Sequence, residues 1–567
     1  MSVAQPDGTQ DAFGLITRRA AIVFVFIYAL RAIVARYRRR SSIMDLIPGP
    51  ESSSILAGNM LELSTTGAGS RVLDWRKEHH NNTVLKIKGP YFAGDGLFIS
   101  DPTALWKIYD TNATFHRPPS MTALGEKLVG KGGIILSEGE AHYRIKRVMQ
   151  PAFNASNVRA LLPRFRHGAL ALVDAWGSLV DREEKQAAVI DVFDWLGASA
   201  LDMIGLAAFG TKLGAVNKMQ GGESISDLAD AYKGVLDAMG AEETAASIFI
   251  RYSPAWLISI LTLFPNKLMQ VVVQSLSRAH DVASTLIQER LKDIQDGATS
   301  VDLEGAGNDA LTMMLKANLS NDAKIRLSMN DMTAQITSIL FAGHGSSAAF
   351  MSWALYQLAH DQSLQERVRE EILAHTSQYD AEEDANIFSG KDMPLFDAFI
   401  KEVMRFYPVV HFNEKQAASD TVLRLSQPLT LADGRTVNEI TVEKGTIVYA
   451  DIVSYNYSEE VWGDDAGKFN VDRWMKEGGG PGWNPNAKLA PSVYSGLFNF
   501  IAGPKACLGW RFLILESQAM LFELIRNFKF TPYGTKPIHK RMQMVMVPAI
   551  DKNGELVVEM PLVVTRV

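Results

Sequence analysis

Cysteine occurs once in this chain of 567 residues. A single thiol excludes an internal disulfide and argues against a disulfide-built secreted scaffold. A dominant charge is also missing. Lys and Arg number 57 against 63 Asp and Glu, for a formal net charge of −6. With a pI near 6.1, the chain gives no support to nucleic-acid binding as its main task. Internal repeats, long low-complexity tracts and a Gly-x-Gly-x-x-Gly dinucleotide fingerprint are absent. What is present is an ordinary globular balance, 47% hydrophobic and 21% charged, with ample material for a large core.

Long apolar runs are scarce too. The one near the N-terminus, Ala20 to Leu30, is interrupted at Arg31 and resumes through Ala35. With Arg31 snorkelling, Ala20 to Ala35 barely reaches the roughly 20 residues that a membrane span needs. Arg36, Arg38, Arg39 and Arg40 follow it, against Arg18 and Arg19 before it. That asymmetry favours a single-pass anchor with the body in the cytosol. The competing reading is a cleaved signal peptide, whose apolar region has this length. Residues 1–19 then form a tail and 20–40 an anchor with a basic flank. The Pro48-Gly49-Pro50 segment closes a stiff hinge over 41–50, and 51–567 is the body.

The body reads as mainly α with minor β, without a clean internal boundary. Strand-like pieces lie at Thr83–Ile87 and Leu97–Ile99. Glu138 to Met404 is mostly helical, with linkers near Gly221-Gly222 and Gly305–Gly307. Strand-like runs return over Leu429–Val448 around Asp433-Gly434, a strong hairpin signal. After Cys507, Leu508, Phe512, Leu515, Ala519 and Phe522 fall on one helix face.

Ser328-Met329-Asn330-Asp331 has the form of a capping box. A proline-free stretch runs from there to His360, roughly 45 Å if helical, and it is apolar nearly all round, as a central helix should be. Midway it reads Phe341-Ala342-Gly343-His344-Gly345-Ser346-Ser347. Its glycines admit either close packing or a local opening with hydroxyls beside it. Further on, Glu402 and Arg405 share a helix face. Such a pair is usually a weak surface ion pair. Asn470 to Trp474 and the loop Phe498-Asn499-Phe500-Ile501-Ala502-Gly503-Pro504-Lys505-Ala506-Cys507 come after them.

Phe500-x-x-Gly503-x-Lys505-x-Cys507-x-Gly509 resembles the haem-binding signature of the cytochrome P-450 superfamily of haem-thiolate monooxygenases. Glu402-x-x-Arg405 and Arg473 resemble that family's structural triad. Ala342-Gly343 resembles the start of its oxygen-binding helix motif. Gly139 to Phe153, with His142 and Lys146, resembles the helix that contacts the haem propionates. The resemblance covers residues 45 to 560 and implies one large helical domain with a small β subdomain. It implies haem b with Cys507 as axial iron ligand, Phe500 shielding the sulfur, and Lys505, His142 and Lys146 toward the propionates. The helix that starts near Leu508 would aim its amides at the sulfur, and the triad would clamp the cysteine loop. His344 packs or faces solvent. Asn81, Asn112, Asn154, Asn318 and Asn456 begin Asn-x-Ser/Thr triplets, which a cytosolic body makes chance matches.

The pattern breaks after Gly343. The family continues with an acid and a threonine that relay protons; this chain has Gly345 and Ser346, then Ser347. The resemblance therefore implies a monooxygenase acting on a lipophilic small molecule, with Ser346 and Ser347 as the candidate proton relay. Electrons would come from a separate NADPH-dependent flavoprotein reductase at the endoplasmic reticulum membrane. A haem-thiolate isomerase or dehydratase, and a non-catalytic haem-binding protein, are the alternatives. Substrate contacts are expected from Pro118 to Ile135, Gly240 to Ile258, Ala342 and Val409 to Phe412. The general style is that of fungal microsomal members, which often act in secondary metabolism, including terpenoid tailoring.

Overall fold

The computed structural model describes residues 43–567 apart from 53, 55–56, 91–93, 111–113, 225–226, 242–247, 249–250, 262–266, 296–308, 320–323, 383–384, 389 and 476–491. The expected anchor, the linker at Gly305–Gly307 and part of the Gly240–Ile258 segment lie outside the described residues. Among the described residues, one helix is long and apolar enough to cross a membrane, Val192–Phe209. It is buried in the protein along most of its length.

The body is mainly helical. Its helices that matter for the site are α1 (Gly139–Met149), α2 (Leu162–Asp181), α3 (Val192–Phe209), α4 (Leu228–Ala241), α5 (Met329–His360), α6 (Pro394–Phe406) and α7 (Trp510–Asn527). Helix α5 starts where the sequence predicts. Ser328 Oγ accepts from Asp331 N, and the Asp331 carboxylate accepts from Ser328 N. It runs through the core against α3, α6 and α7. Its length and its nearly all-round apolar surface are why it is central.

The main sheet has five strands: β1 (Val84–Lys88), β2 (Asp95–Ile99), β3 (Phe115–His116), β4 (Phe412–Ala417) and β5 (Ile447–Asp451), in the order β1-β2-β5-β4-β3. β1 and β2 pair antiparallel, Val84 facing Ile99. β2 and β5 pair parallel, Phe98 facing Tyr449. β3 meets β4 with His116 opposite Gln416. That last pairing, across about three hundred residues of chain, sets Arg117 close to Lys415. The predicted hairpin forms around Asp433-Gly434, with Gly434 at φ 83°. Its strands are Thr421–Thr430 and Thr436–Val442, so its first strand begins earlier than the apolar run indicates. The alternating exposed residues Val422, Arg424 and Ser426 hide that strand from a search for apolar runs.

Candidate active site

The cysteine loop is a string of short turns between the sheet side and α7. Cys507 N donates to Phe500 O at 2.8 Å and Ala506 N to Gly503 O at 3.1 Å. Gly503 sits at φ 64°, and a Cβ there would lie 2.3 Å from the Tyr109 carbonyl oxygen. The protein's own backbone therefore requires glycine at 503. Gly509 has no such constraint, since an added Cβ meets nothing within 4 Å. Ile501 adopts φ 61°, ψ −174°, a region sparsely populated outside glycine that costs about 1–3 kcal/mol.

Cys507 has accessible surface, yet the protein surrounds it closely enough that burial pushes its thiol up. Both hold if the sulfur faces a hollow inside the protein. The Gly509 N–H and the Lys146 ammonium act in the opposite direction and favour thiolate. Phe500 is buried beside Tyr494 and Trp510, with ring centroids at 6.1 and 6.4 Å.

The middle of α5 also opens. Ala342 is exposed although the helix is buried along most of its length, and Ile339, Gly343 and Ser346 on the same face are half-buried. The glycines divide the alternatives read from the sequence. A Cβ on Gly343 would come within 2.6 Å of Ile204 Cδ1, so Gly343 serves close packing on α3. A Cβ on Gly345 meets nothing within 4 Å. Ser346 Oγ donates back to Ala342 O at 2.8 Å. Ser347 turns away, is buried, and donates to Glu516 Oε2 on α7 at 2.6 Å. Burial raises Glu516 to about 8. His344 packs against Tyr232 of α4 at 5.0 Å and is pushed down to about 4 by burial.

A cluster of cations gathers beside the cysteine loop. His142 is buried and pushed down to about 4, first by burial and then by Lys505 and Lys146. Lys146 Nζ donates to Pro504 O at 2.7 Å. Lys505 Nζ donates to Ser137 O and pairs with Glu138 Oε2 at 3.2 Å. Lys415 is buried and lowered to about 8 by burial, with Glu138 opposing and Arg117 and Lys505 adding to it. Arg117 Nη2 donates to Ile135 O at 2.7 Å, while its buried Nε has no protein partner among the described residues. Arg117 and Lys415 were not legible from sequence, because only the β3–β4 pairing brings them together; Glu138 comes from the residue just before α1 and pairs with Lys505.

The Glu402–Arg405 pair is no surface ion pair. Both side chains are fully buried. Arg405 uses every guanidinium N–H: Nε and Nη2 to the Glu402 carboxylate at 2.9 and 2.7 Å, and the rest to the carbonyls of Asn456, Ala466 and Lys468. Glu402 also accepts from Asn470 N and Trp474 Nε1, each at 2.8 Å. Arg473 Nε lies 3.6 Å from Glu402, and its Nη2 pairs with Asp465 at 2.7 Å. Asn499, inside the cysteine loop, joins the network by donating to Met404 O at 2.7 Å and accepting from Asn456 Nδ2 at 3.1 Å. Asn456 is fully buried, so its Asn-x-Ser triplet is inaccessible in the folded chain.

The family model for cytochrome P-450 matches residues 48–557. The chain belongs to the cytochrome P-450 family. It is similar to cytochrome P-450 monooxygenase 91 of Postia placenta, 28% identical over 97% of this chain and 98% of that protein. It is likewise similar to monooxygenase claO of Ampulloclitocybe clavipes, 28% identical over 96% and 97% of the two chains. Monooxygenase 128 of Postia placenta is 29% identical over 92% of each. The protein is thus an oxidoreductase of the monooxygenase class and a haem-thiolate enzyme. The family generally works with a redox-partner reductase on lipophilic substrates, and its fungal members are often membrane-bound. The residues present fit a haem. Cys507 keeps accessible surface although protein surrounds it, Ala342 is exposed on the otherwise buried α5, and Arg117, Lys146, Lys415 and Lys505 outnumber the Glu138 carboxylate beside them.

Proposed function

We propose that this cytochrome P-450 inserts one oxygen atom from O2 into a lipophilic small molecule, a secondary metabolite of terpenoid type. Cys507 supplies the thiolate that ligates the iron. The observation that carries this reading is a cysteine that keeps accessible surface although protein surrounds it, in a chain with no other cysteine. When bound, the haem-thiolate supplies O–O cleavage, favoured by electron density from sulfur.

The chain's own residues hold that group and shape its surroundings. Gly509 N–H and Lys146 stabilise the thiolate. Arg117, His142, Lys146, Lys415 and Lys505 offer charge and N–H groups to the propionates. Phe500 excludes water from the sulfur. Ala342 leaves the helix face bare for a flat ligand, Gly343 lets the helix pack closely on α3, and Ser346 places a hydroxyl beside the bare face. The triad holds the cysteine loop through Asn499. Residues 20–40 anchor the chain in the endoplasmic reticulum membrane, with the body facing the cytosol and a separate NADPH-dependent flavoprotein reductase.

The test is a metabolite comparison between hosts expressing the wild type and Cys507→Ala with the reductase. New oxygenated, reductase-dependent products only with the wild type support the reading. Turnover without reductase or O2 would establish an isomerase or dehydratase. A reduced carbon monoxide complex without the strong red shift of thiolate ligation would overturn the assignment of Cys507.

A further inference from the structure

The chain from Gly132 to Glu138 forms a strap between α5 and the cysteine loop. At one end the Gln335 amide grips its backbone as a neighbouring strand would. Gln335 Oε1 accepts from Ile134 N at 2.7 Å, and its Nε2 donates to Gly132 O at 2.9 Å. The side chain is fully buried, and its Nε2 also donates to Asp331 O at 3.1 Å. Gly133 lies flat on the helix, where an added Cβ would collide with Ser338 Oγ. At the other end Lys505 Nζ donates to Ser137 O and pairs with Glu138. Between the two ends Arg117 Nη2 donates to Ile135 O at 2.7 Å, and Ser137 Oγ to Gly133 O at 2.9 Å.

The strap crosses α5 where its bare face begins. At 3.6 residues per turn, Ile339, Ala342 and Ser346 follow Gln335 along one face of the helix. Each of them keeps accessible surface in a helix that is otherwise mostly buried, and so does Ile134 on the strap. A loop left loose here would have to be ordered by whatever binds, at a cost in affinity. We propose that Gln335 is a positioning residue for substrate, fixing Gly132–Ile135 as a preformed wall beside the bare face of α5. The role rests on the reading that this hollow takes a lipophilic small molecule. It is an affinity for bulky ligands, which reach the wall, over small ones, which do not. An amide suits the task because it offers one donor and one acceptor side by side, matching the Gly132 carbonyl and the Ile134 N–H. A methionine of similar size offers neither.

The experiment uses the haem-loaded full chain and its Gln335→Met, Gly133→Ala and Gly133→Ala/Ser338→Ala variants. Imidazole and the bulky azole clotrimazole, which bind the iron through nitrogen, are titrated by the shift of the haem absorbance. Amide hydrogen exchange follows the segment around Ile134. Gln335→Met should speed exchange at Ile134 and weaken clotrimazole about 10-fold or more, with imidazole within about twofold of wild type. Gly133→Ala should do the same by lifting the strap off α5. Ser338→Ala in that background should restore clotrimazole binding. It removes the colliding hydroxyl, which has no partner of its own among the described residues. A general loss of stability would weaken both azoles alike and would not be undone by trimming Ser338. Unchanged exchange at Ile134 in Gln335→Met overturns the proposal. So do clotrimazole affinity within about twofold of wild type, equal losses for the two azoles, or no recovery in the double variant. The titrations use neither O2 nor reductase, so their result stands whether the enzyme oxygenates or isomerises its substrate.

Discussion

Replacing Arg405 by lysine keeps the charge and removes the planar fork. In the folded protein that fork serves Glu402 twice and the carbonyls of Asn456, Ala466 and Lys468 once each. A lysine ammonium is a compact donor on a flexible stem and cannot span that ring of acceptors. A buried carbonyl left without its donor costs about 1–3 kcal/mol, and breaking a buried ion pair outright costs about 3–5 kcal/mol. Because Arg405→Lys preserves the charge, a loss of about 3 kcal/mol is expected, a large share of a typical 5–15 kcal/mol total. The damage should reach the cysteine loop, because Asn456 contacts both the Arg405 carbonyl and Asn499. The assay is urea unfolding of the haem-loaded enzyme followed by fluorescence, with haem absorbance read after gel filtration. Arg435→Lys is the control, as its pair with Asp433 is exposed and worth about 0–1 kcal/mol. If Arg405→Lys unfolds within about 1 kcal/mol of wild type and retains its haem, the clamp is not what holds the loop.

Asn499→Ala should speed haem loss with little change in global unfolding, because it removes bonds to Met404 and Asn456 from the loop alone; haem transfer to apomyoglobin reads this directly. Gly345→Ala should leave stability unchanged or raise it by up to about 1 kcal/mol through helix propensity. Gly343→Ala should lower it through the 2.6 Å approach to Ile204; thermal unfolding separates the two. His344 is held near 4 against about 6.5 unfolded. Below 6.5 the unfolded chain binds the extra proton, so stability falls as pH drops from 6.5 through 4, by up to about 3 kcal/mol from this residue. His344→Leu should flatten that part of the pH–stability curve, and an unchanged slope would show that His344 is not buried neutral.

Helix α5 was readable from its capping box, its lack of proline and its apolar length. The cysteine loop was readable from the spacing of Phe500, Gly503, Lys505, Cys507 and Gly509. The burial of Glu402 and Arg405 was not, because an acid and a base three residues apart on a helix look the same at a surface and in a core. Glu516 has a local signature in the sequence. It lies four residues after Phe512 and three before Ala519, inside the apolar stripe of α7, which already placed a carboxylate in the core.

The sequence by itself determined the family, the single possible thiolate and the missing relay acid, since these are matters of residue type and spacing along the chain. Only the tertiary structure decided which glycine packs and which faces open space. It also decided which serine faces outward and which meets Glu516, and that Arg117 and Lys415 join the cations around Glu138. Those relations depend on helix crossings and strand pairings between segments far apart in sequence, and local spacing carries no information about them.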